Sequence, residues 1–409
     1  MSRSRALWLG GAVVAVAVLA FVAWLFWSAE SAPVQANASS ASAAVAATGS
    51  SGTVSGAITG DSNNGTPYSA AGLQARAEQL AMWRSRQERA EQIYASYRDA
   101  TRYPYDSRPL DEHPDQNRPF APISEQVKLR SANGEVVNGI TLRTTQERVF
   151  LSGAESVKFT IAAVDDGGRP LPLTIRSASA QSIPDSRTPI QIVQASVAFS
   201  DDGSGADDAP SDGRYSGRLT PGTQGFQNYA GTIRLLAEVA SDSQQGVAHF
   251  DVVYSPEVPA TWAGVREALE AGSLNFYVKA NVRRAGRYVV SGRVDDANGV
   301  PFALVQFNDE VAAGSREFKL QVFGALVLDK APTFPLRLRD VDGFLLLPDT
   351  FPDRATMARQ AGVVHTSAMY APSRFSSAEW TSEERQRYLA EYGKDADMAR
   401  RQVEDLAGK

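Results

Sequence analysis

From Val127 to Leu347 the chain is built of short runs that alternate apolar and polar residues, each cut off by Gly, Asp, Pro or Ser. A period of two sends successive side chains to opposite faces of a strand. In VKFTIAAV (157–164) and IRLLAEVA (233–240) the alternating positions make one face apolar. A sheet of such strands must bury that face against a second layer. The candidate strands of the first stretch are Gly139–Thr144, Val157–Val164, Leu173–Ser177, Ile190–Ser200, Tyr215–Thr220, Gly231–Ala240 and Val247–Tyr254.

Seven short strands with turn residues between them match an immunoglobulin-like count. Ser255–Gly272 carries two prolines and reads as a junction with a short helix around Trp262–Glu270. A second β run follows: Leu274–Val282, Gly286–Val294, Pro301–Phe307, Arg316–Phe323, Ala325–Asp329, Phe334–Leu338 and Gly343–Leu347. Asn298-Gly299 marks a tight hairpin turn, because both residues tolerate positive φ. The fold class expected is mainly β, with two tandem immunoglobulin-like β-sandwich domains over 123–255 and 256–350. Residues 351–409 read as an irregular segment with a short helix after Asp353, then a charged helix to about Leu406. Ser377 or Ser382 would cap that last helix, and Glu383 and Glu384 in its first turn suit the helix dipole.

The amino-terminal third is organised differently. Ala6–Trp27 is an uncharged apolar run of twenty-two residues. As a helix it would be about 33 Å long, enough for a bilayer core of about 30 Å. Arg3 and Arg5 lie before it and no further Lys or Arg occurs until Arg76. The positive-inside bias then keeps residues 1–5 in the cytoplasm and sends the rest outward. A removable secretory signal has a shorter apolar core, and Trp24 and Trp27 suit an interfacial belt. Ala29-Glu30-Ser31 offers the cleavage site that the competing reading needs. Residues 28–72 are Ser, Ala, Gly and Thr with almost no charge, the composition of a disordered tether spanning roughly 35–40 Å.

Residues 73–122 form a helix and an arm. Leu73, Ala77, Leu80, Trp83, Ala90, Tyr94 and Tyr97 make one apolar stripe on a helix from about Leu73 to Ala100. The stripe either docks on the following domain or recruits a partner helix. Pro104, Pro109, Pro114 and Pro119 then interrupt TRYPYDSRPLDEHPDQNRPF every five residues. Proline denies a helix and favours extended backbone. With Tyr103, Tyr105 and Phe120 among them, the segment reads as an ordered arm across a domain surface, or as a docking motif for another protein.

Composition removes whole classes of function. Cysteine is absent, so there is no disulfide, no thiol nucleophile and no lipidated Cys. The net charge of −5 comes without basic runs, which argues against a nucleic-acid surface. No G-x-S-x-G, H-E-x-x-H or phosphate-loop motif occurs. His365 lies near Tyr370, Arg374 and Trp380, where a structural histidine competes with a small pocket.

The densest cluster of functional atoms is FSDDGSGADDAPSDGRYSG (199–217), where Asp201, Asp202, Asp207, Asp208 and Asp212 lie within twelve residues. Calcium takes six to eight oxygens, and Asp202, Asp207, Asp208 and Asp212 are the candidate ligands. The loop lacks the EF-hand spacing, and a plain Asx-turn loop is the competing reading. Asp202-Gly203, Gly205, Asp207 and Asp212-Gly213-x-Tyr215 resemble the loop of choice-of-anchor X and related bacterial immunoglobulin-like modules. Ser211 and Ala206 depart from that pattern. The resemblance implies a β-sandwich envelope protein without assigned catalysis.

Together these features lead us to expect a single-pass protein of a diderm inner membrane with its bulk in the periplasm. It would be a non-enzymatic adaptor holding an envelope protein. Trp83, Tyr94, Tyr97, Phe375 and Trp380 are the candidate partner-binding residues. No cofactor beyond calcium is implied. The competing class is a calcium-dependent envelope hydrolase or carbohydrate-binding protein using loop 201–212.

Overall fold

The computed structural model describes residues 70–131, 133–184 and 193–408. The apolar run 6–27 and residues 28–69 of the expected tether 28–72 lie outside the described residues, whereas residues 70–72 open a helix rather than ending the tether. Among the described residues no helix is long and apolar enough to cross a membrane. These residues are mainly β, with helices α1 (Ala70–Ala100), α2 (Gly324–Lys330) and α3 (Glu383–Ala407).

The strands of 123–255 form two sheets. In the first, the order is Ile123–Arg130, Val136–Gln146, Val157–Val164, Tyr215–Leu219 and Phe199–Ser200. In the second it is Phe150–Ser152, Gln244–Ser255, Gly231–Ser241, Thr174–Ser182 and Gln194–Ser196. Their apolar faces meet in one core, with Phe159 and Ile161 from one side and Ile233, Leu235 and Phe250 from the other. The Phe159 and Phe250 rings are 4.8 Å apart. The period-two pattern is the cause: Val157, Phe159, Ile161 and Ala163 are all buried, on the face that looks inward.

The second pair of sheets needs chain from outside 260–346. Its larger sheet runs Ser107–Pro109, Pro301–Val311, Gly286–Asp295, Arg337–Leu346 and Arg354–Thr356, with Gln360–Thr366 also on Arg337–Leu346. Its smaller sheet is Ala260–Glu270, Ser273–Val282 and Gly314–Val322. Tyr288, Val290 and Leu338 pack there against Phe276, Phe318 and Leu320.

Three segments depart from the sequence expectation. Trp262–Glu270 is a strand, not a helix, paired over its length with Ser273–Val282 around Gly264 at φ +128. Ala, Leu, Arg and Glu there favour a helix locally, but cross-strand pairing overrides that weak preference. Ala325–Asp329 is helical, and short buried apolar runs do not distinguish strand from helix. The region after Asp353 forms two strands, Arg354–Thr356 and Gln360–Thr366, in place of a short helix. There Arg354 lies over the rings of Phe150 and Phe344, tying the two β units together. Ser152 strengthens that junction, its Oγ accepting from Thr356 N at 2.9 Å.

The proline-rich arm lies on the second unit. Ser107–Pro109 pairs antiparallel with Ala303–Val305. The almost fully buried Arg293 guanidinium donates to Gln116 O (3.0 Å), Gln116 Oε1 (2.9 Å), Asp340 O (3.0 Å) and Asp342 Oδ1 (2.6 Å). Arg339 holds the next residue, donating to Asn117 O and Oδ1, with Asp295 and Asp340 balancing its charge.

Helix α1 pairs antiparallel with α3. Arg76, Leu80, Trp83, Gln87, Ala90, Tyr94 and Tyr97 are half-buried at alternating spacings of four and three, the seam of a two-stranded coiled coil. Tyr97 packs on Tyr388 and Tyr392, with ring centroids 5.7 and 5.3 Å away. Arg400 pairs with Glu91 at 3.0 Å. At the far end Arg76 donates to Leu406 O at 2.6 and 3.0 Å, satisfying a carbonyl that the end of α3 leaves free. Ser382 caps α3, its Oγ accepting from Arg385 N.

Candidate functional site

Register makes the outer face of the first sheet distinctive. Ser124 stands opposite Thr145, Thr145 opposite Thr160, Thr160 opposite Ser216, and Ser216 opposite Ser200. In-register neighbours share a face. The buried Ile161 beside Thr160 shows that this row points away from the core. Five hydroxyl side chains therefore cross the sheet in one line. Thr160 Oγ1 and Ser216 Oγ lie 3.3 Å apart.

One row along, Arg143 stands opposite Ala162. Arg214 immediately precedes Tyr215, the partner of Ile161, so it falls on the other side of Ala162. With strands about 4.8 Å apart, the backbone positions of the two arginines stand about 10 Å apart on either side of Ala162. Both arginines are exposed, and neither guanidinium has a hydrogen-bond or ion-pair partner among the described residues. A groove of about 380 Å³ runs over this surface. It is lined by Ser124, Thr145, Thr160, Ala162, Arg143 and Arg214, with carboxylates Glu125 and Asp212 also on its wall.

The acidic loop adjoins the groove. Carboxylate oxygens of Asp201, Asp207 and Asp212 all lie within 4.8 Å of one another. Backbone N–H groups supply each of them. Asp201 accepts from Asp212 N (3.0 Å) and Gly213 N (3.1 Å), Asp207 from Gly203 N (2.7 Å), and Asp212 from Arg214 N (2.9 Å). Asp207 is buried. Gly203 is at φ +73, and a Cβ there would sit 2.7 Å from Pro210 Cδ, so glycine is what lets the loop fold over itself. Of the four candidate ligands, Asp207 and Asp212 are brought together, and Asp201 is the third member. Asp202 turns away to Ser204, whose hydroxyl and N–H hold its carboxyl below the usual range. Asp208 pairs with Lys158 at 2.7 Å, and that ammonium lowers its pKa. Asp201, Asp207 and Asp212 fit a cation as a donor set, since each carboxylate keeps lone pairs beyond those the N–H groups use.

The candidate partner-binding residues divide. Tyr97 is engaged by α3, and Tyr94 faces Gly393 there, where a Cβ would lie 3.7 Å from its ring. Trp83 is half-buried in the same helix with Arg86 over its ring. Phe375 is buried in the second core, 5.6 Å from the Phe334 ring. Trp380 is half-buried, its backbone N–H donating to Arg102 O at 3.0 Å. His365 meets Glu267 at 3.2 Å and sits edge-on to Phe276. Glu267 also accepts from Ala368 N and Tyr370 OH.

No family model and no curated protein matches the chain. The comparison with solved structures gives partial likenesses only. A DUF4785 family protein from Legionella pneumophila is 14% identical, with a TM-score of 0.38, over 56% of this chain and 57% of that one. This chain thus aligns with little more than half of that protein's length. Dimeric latent PorU from Porphyromonas gingivalis is 12% identical, with a TM-score of 0.16, over 62% of this chain and 21% of that one.

Arg143, Arg214 and the hydroxyl row were not readable as a site from sequence. Arg143-x-Thr145 and Thr160-x-Ala162 place residues on one face of each strand. Only the register brings those faces into line.

Proposed function

We infer that the chain is a membrane-tethered periplasmic binding protein whose two immunoglobulin-like sandwiches hold an envelope partner. In this reading the run 6–27 anchors it in the inner membrane and 28–69 is slack. The observation that carries it is the α1/α3 pair. Helix α1 has 31 residues, about 46 Å of rod, and begins directly after the tether composition. It returns through α3 with its aromatic seam used internally, and in sequence it stands between the tether composition and the sandwiches. Catalysis has no part in this reading.

Membranes from cells making the full-length protein test it. The expected result is retention through carbonate extraction, and release when 6–27 are deleted. Recovery of a soluble mature chain beginning near Ser31 would overturn it.

A second reading has its own observation in the three clustered carboxylates. There Ca²⁺ would be held by Asp201, Asp207 and Asp212 and would neutralise their mutual repulsion. A calcium-dependent rise in melting temperature, lost in Asp207→Ala/Asp212→Ala, would support it. An unchanged melting temperature at millimolar Ca²⁺ leaves a turn stabilised by backbone N–H groups alone.

A further inference from the structure

The groove over the first sheet has a charge order that selects a ligand chemistry. Along it come Gln126 on the edge strand, Arg143, the Ala162 methyl, Arg214 and Asp212 on the acidic loop. Two guanidiniums with no hydrogen-bond or ion-pair partner among the described residues suit acid groups, because a guanidinium binds a carboxylate through two parallel N–H bonds. Asp212 at one end repels further acid groups but accepts hydroxyl donors, and the Gln126 amide at the other both donates and accepts. The small Ala162 side chain leaves the space between the arginines open to a ligand. One row away, Ser124, Thr145 and Thr160 line the same groove. Each hydroxyl both donates and accepts, the pairing that a polyol needs. No large apolar side chain lines the groove, as anchoring the side chains of a bound peptide would require.

We propose that this face binds a polysaccharide carrying isolated carboxylates among neutral sugars, with Arg143 and Arg214 gripping the acid and Ser124 and Thr145 the ring hydroxyls. The inference rests on the binding reading and names the class of what is held. Loss of the anchor would leave the groove intact, so the two fail separately.

The probe is a hyaluronan hexasaccharide, in which acid and neutral rings alternate, titrated into the full-length protein in detergent. Binding is expected to weaken steeply with added salt. Arg143→Gln and Arg214→Gln should each weaken it about tenfold, the scale of a lost charge-assisted pair. Both residues are exposed, so their melting temperatures should match the parent. The carboxyl-reduced hexasaccharide should bind no better than the arginine variants. The proposal is overturned by any of three results: no binding at millimolar probe, equal binding of the carboxyl-reduced sugar, or unchanged affinity in both variants. Tighter binding of an oligoglutamate peptide would also overturn it, in favour of an acidic protein partner.

Discussion

The first β unit closes on itself, whereas the second is completed by chain that lies far away in sequence. Between 123 and 255 each strand is paired by another strand from the same stretch, and the core draws on both of its sheets. The second unit takes an edge strand from the arm (Ser107–Pro109) and further strands from 354–366. Its nearly buried Arg293 spends its donors on Gln116, Asp340 and Asp342. Two pairs of arginines are used in opposite ways. In the second unit Arg293 and Arg339 are largely buried and hydrogen-bonded, and they hold the arm in place. In the first, Arg143 and Arg214 stand exposed with no hydrogen-bond or ion-pair partner among the described residues, on a face that no strand covers. Arg293 and Arg339 serve architecture, whereas the proposed binding face is the place for Arg143 and Arg214.

Substitutions can break that division. The largest effect is expected from Arg293→Ala, which strands Asp342 and the carbonyls of Gln116 and Asp340. Leaving a buried acceptor without its donor costs about 1–3 kcal/mol for each group. Hydrogen exchange should speed up in 107–117 and 286–295 and stay unchanged in 157–164 and 231–241. Exchange that rises equally in both units would mean that they are one cooperative block.

Gly246→Ala probes the first unit. Its Cβ would press on Arg130 O and lie 2.8 Å from Leu129 Cγ. Overpacking of this kind costs about 1–3 kcal/mol, and exchange should rise in the first unit alone.

Tyr103→Phe is a smaller test of the arm. Its hydroxyl donates to Asp329 Oδ2 at 2.8 Å, a bond whose loss costs about 1 kcal/mol. Burial, with help from Asp329, pushes the Tyr103 pKa up to about 12 from its ordinary 10. Because the folded value is the higher one, this contribution is fully present below pH 10 and is lost as the pH rises towards 12. Denaturation midpoints measured across that window should fall in the parent and fall less in Tyr103→Phe. The smallest effect is Arg143→Gln, an exposed side chain, which should stay within about 0.5 kcal/mol of the parent in urea unfolding.

Most strands of the first unit were legible because half-buried strands write their burial as alternation; the edge strand Ile123–Arg130, exposed along its length except at Leu129, was not. Val157–Val164 is read directly, and Tyr215 and Gly231 mark the starts of two more. The second unit was harder. WAGVREALE carries a helical preference that only its pairing with Ser273–Val282 overrides, and ALVL in α2 is apolar on every side. The helix stripe at Leu80, Trp83, Tyr94 and Tyr97 was visible, but its partner, α3, lies some three hundred residues away. The acidic loop announced its carboxylates, yet which three converge depends on the N–H groups that each accepts. The hydroxyl row was the least legible, because it is written across five strands and no single segment contains it.

The central claim is that the outer face of the first sheet is the binding face and that the second unit is structural. Hydrogen exchange of the full-length protein with and without the hyaluronan hexasaccharide tests it most directly. Protection confined to 123–130, 141–146, 157–164 and 201–216, with 286–346 unchanged, is the predicted result. Protection centred on the second unit, or none in either, would contradict it.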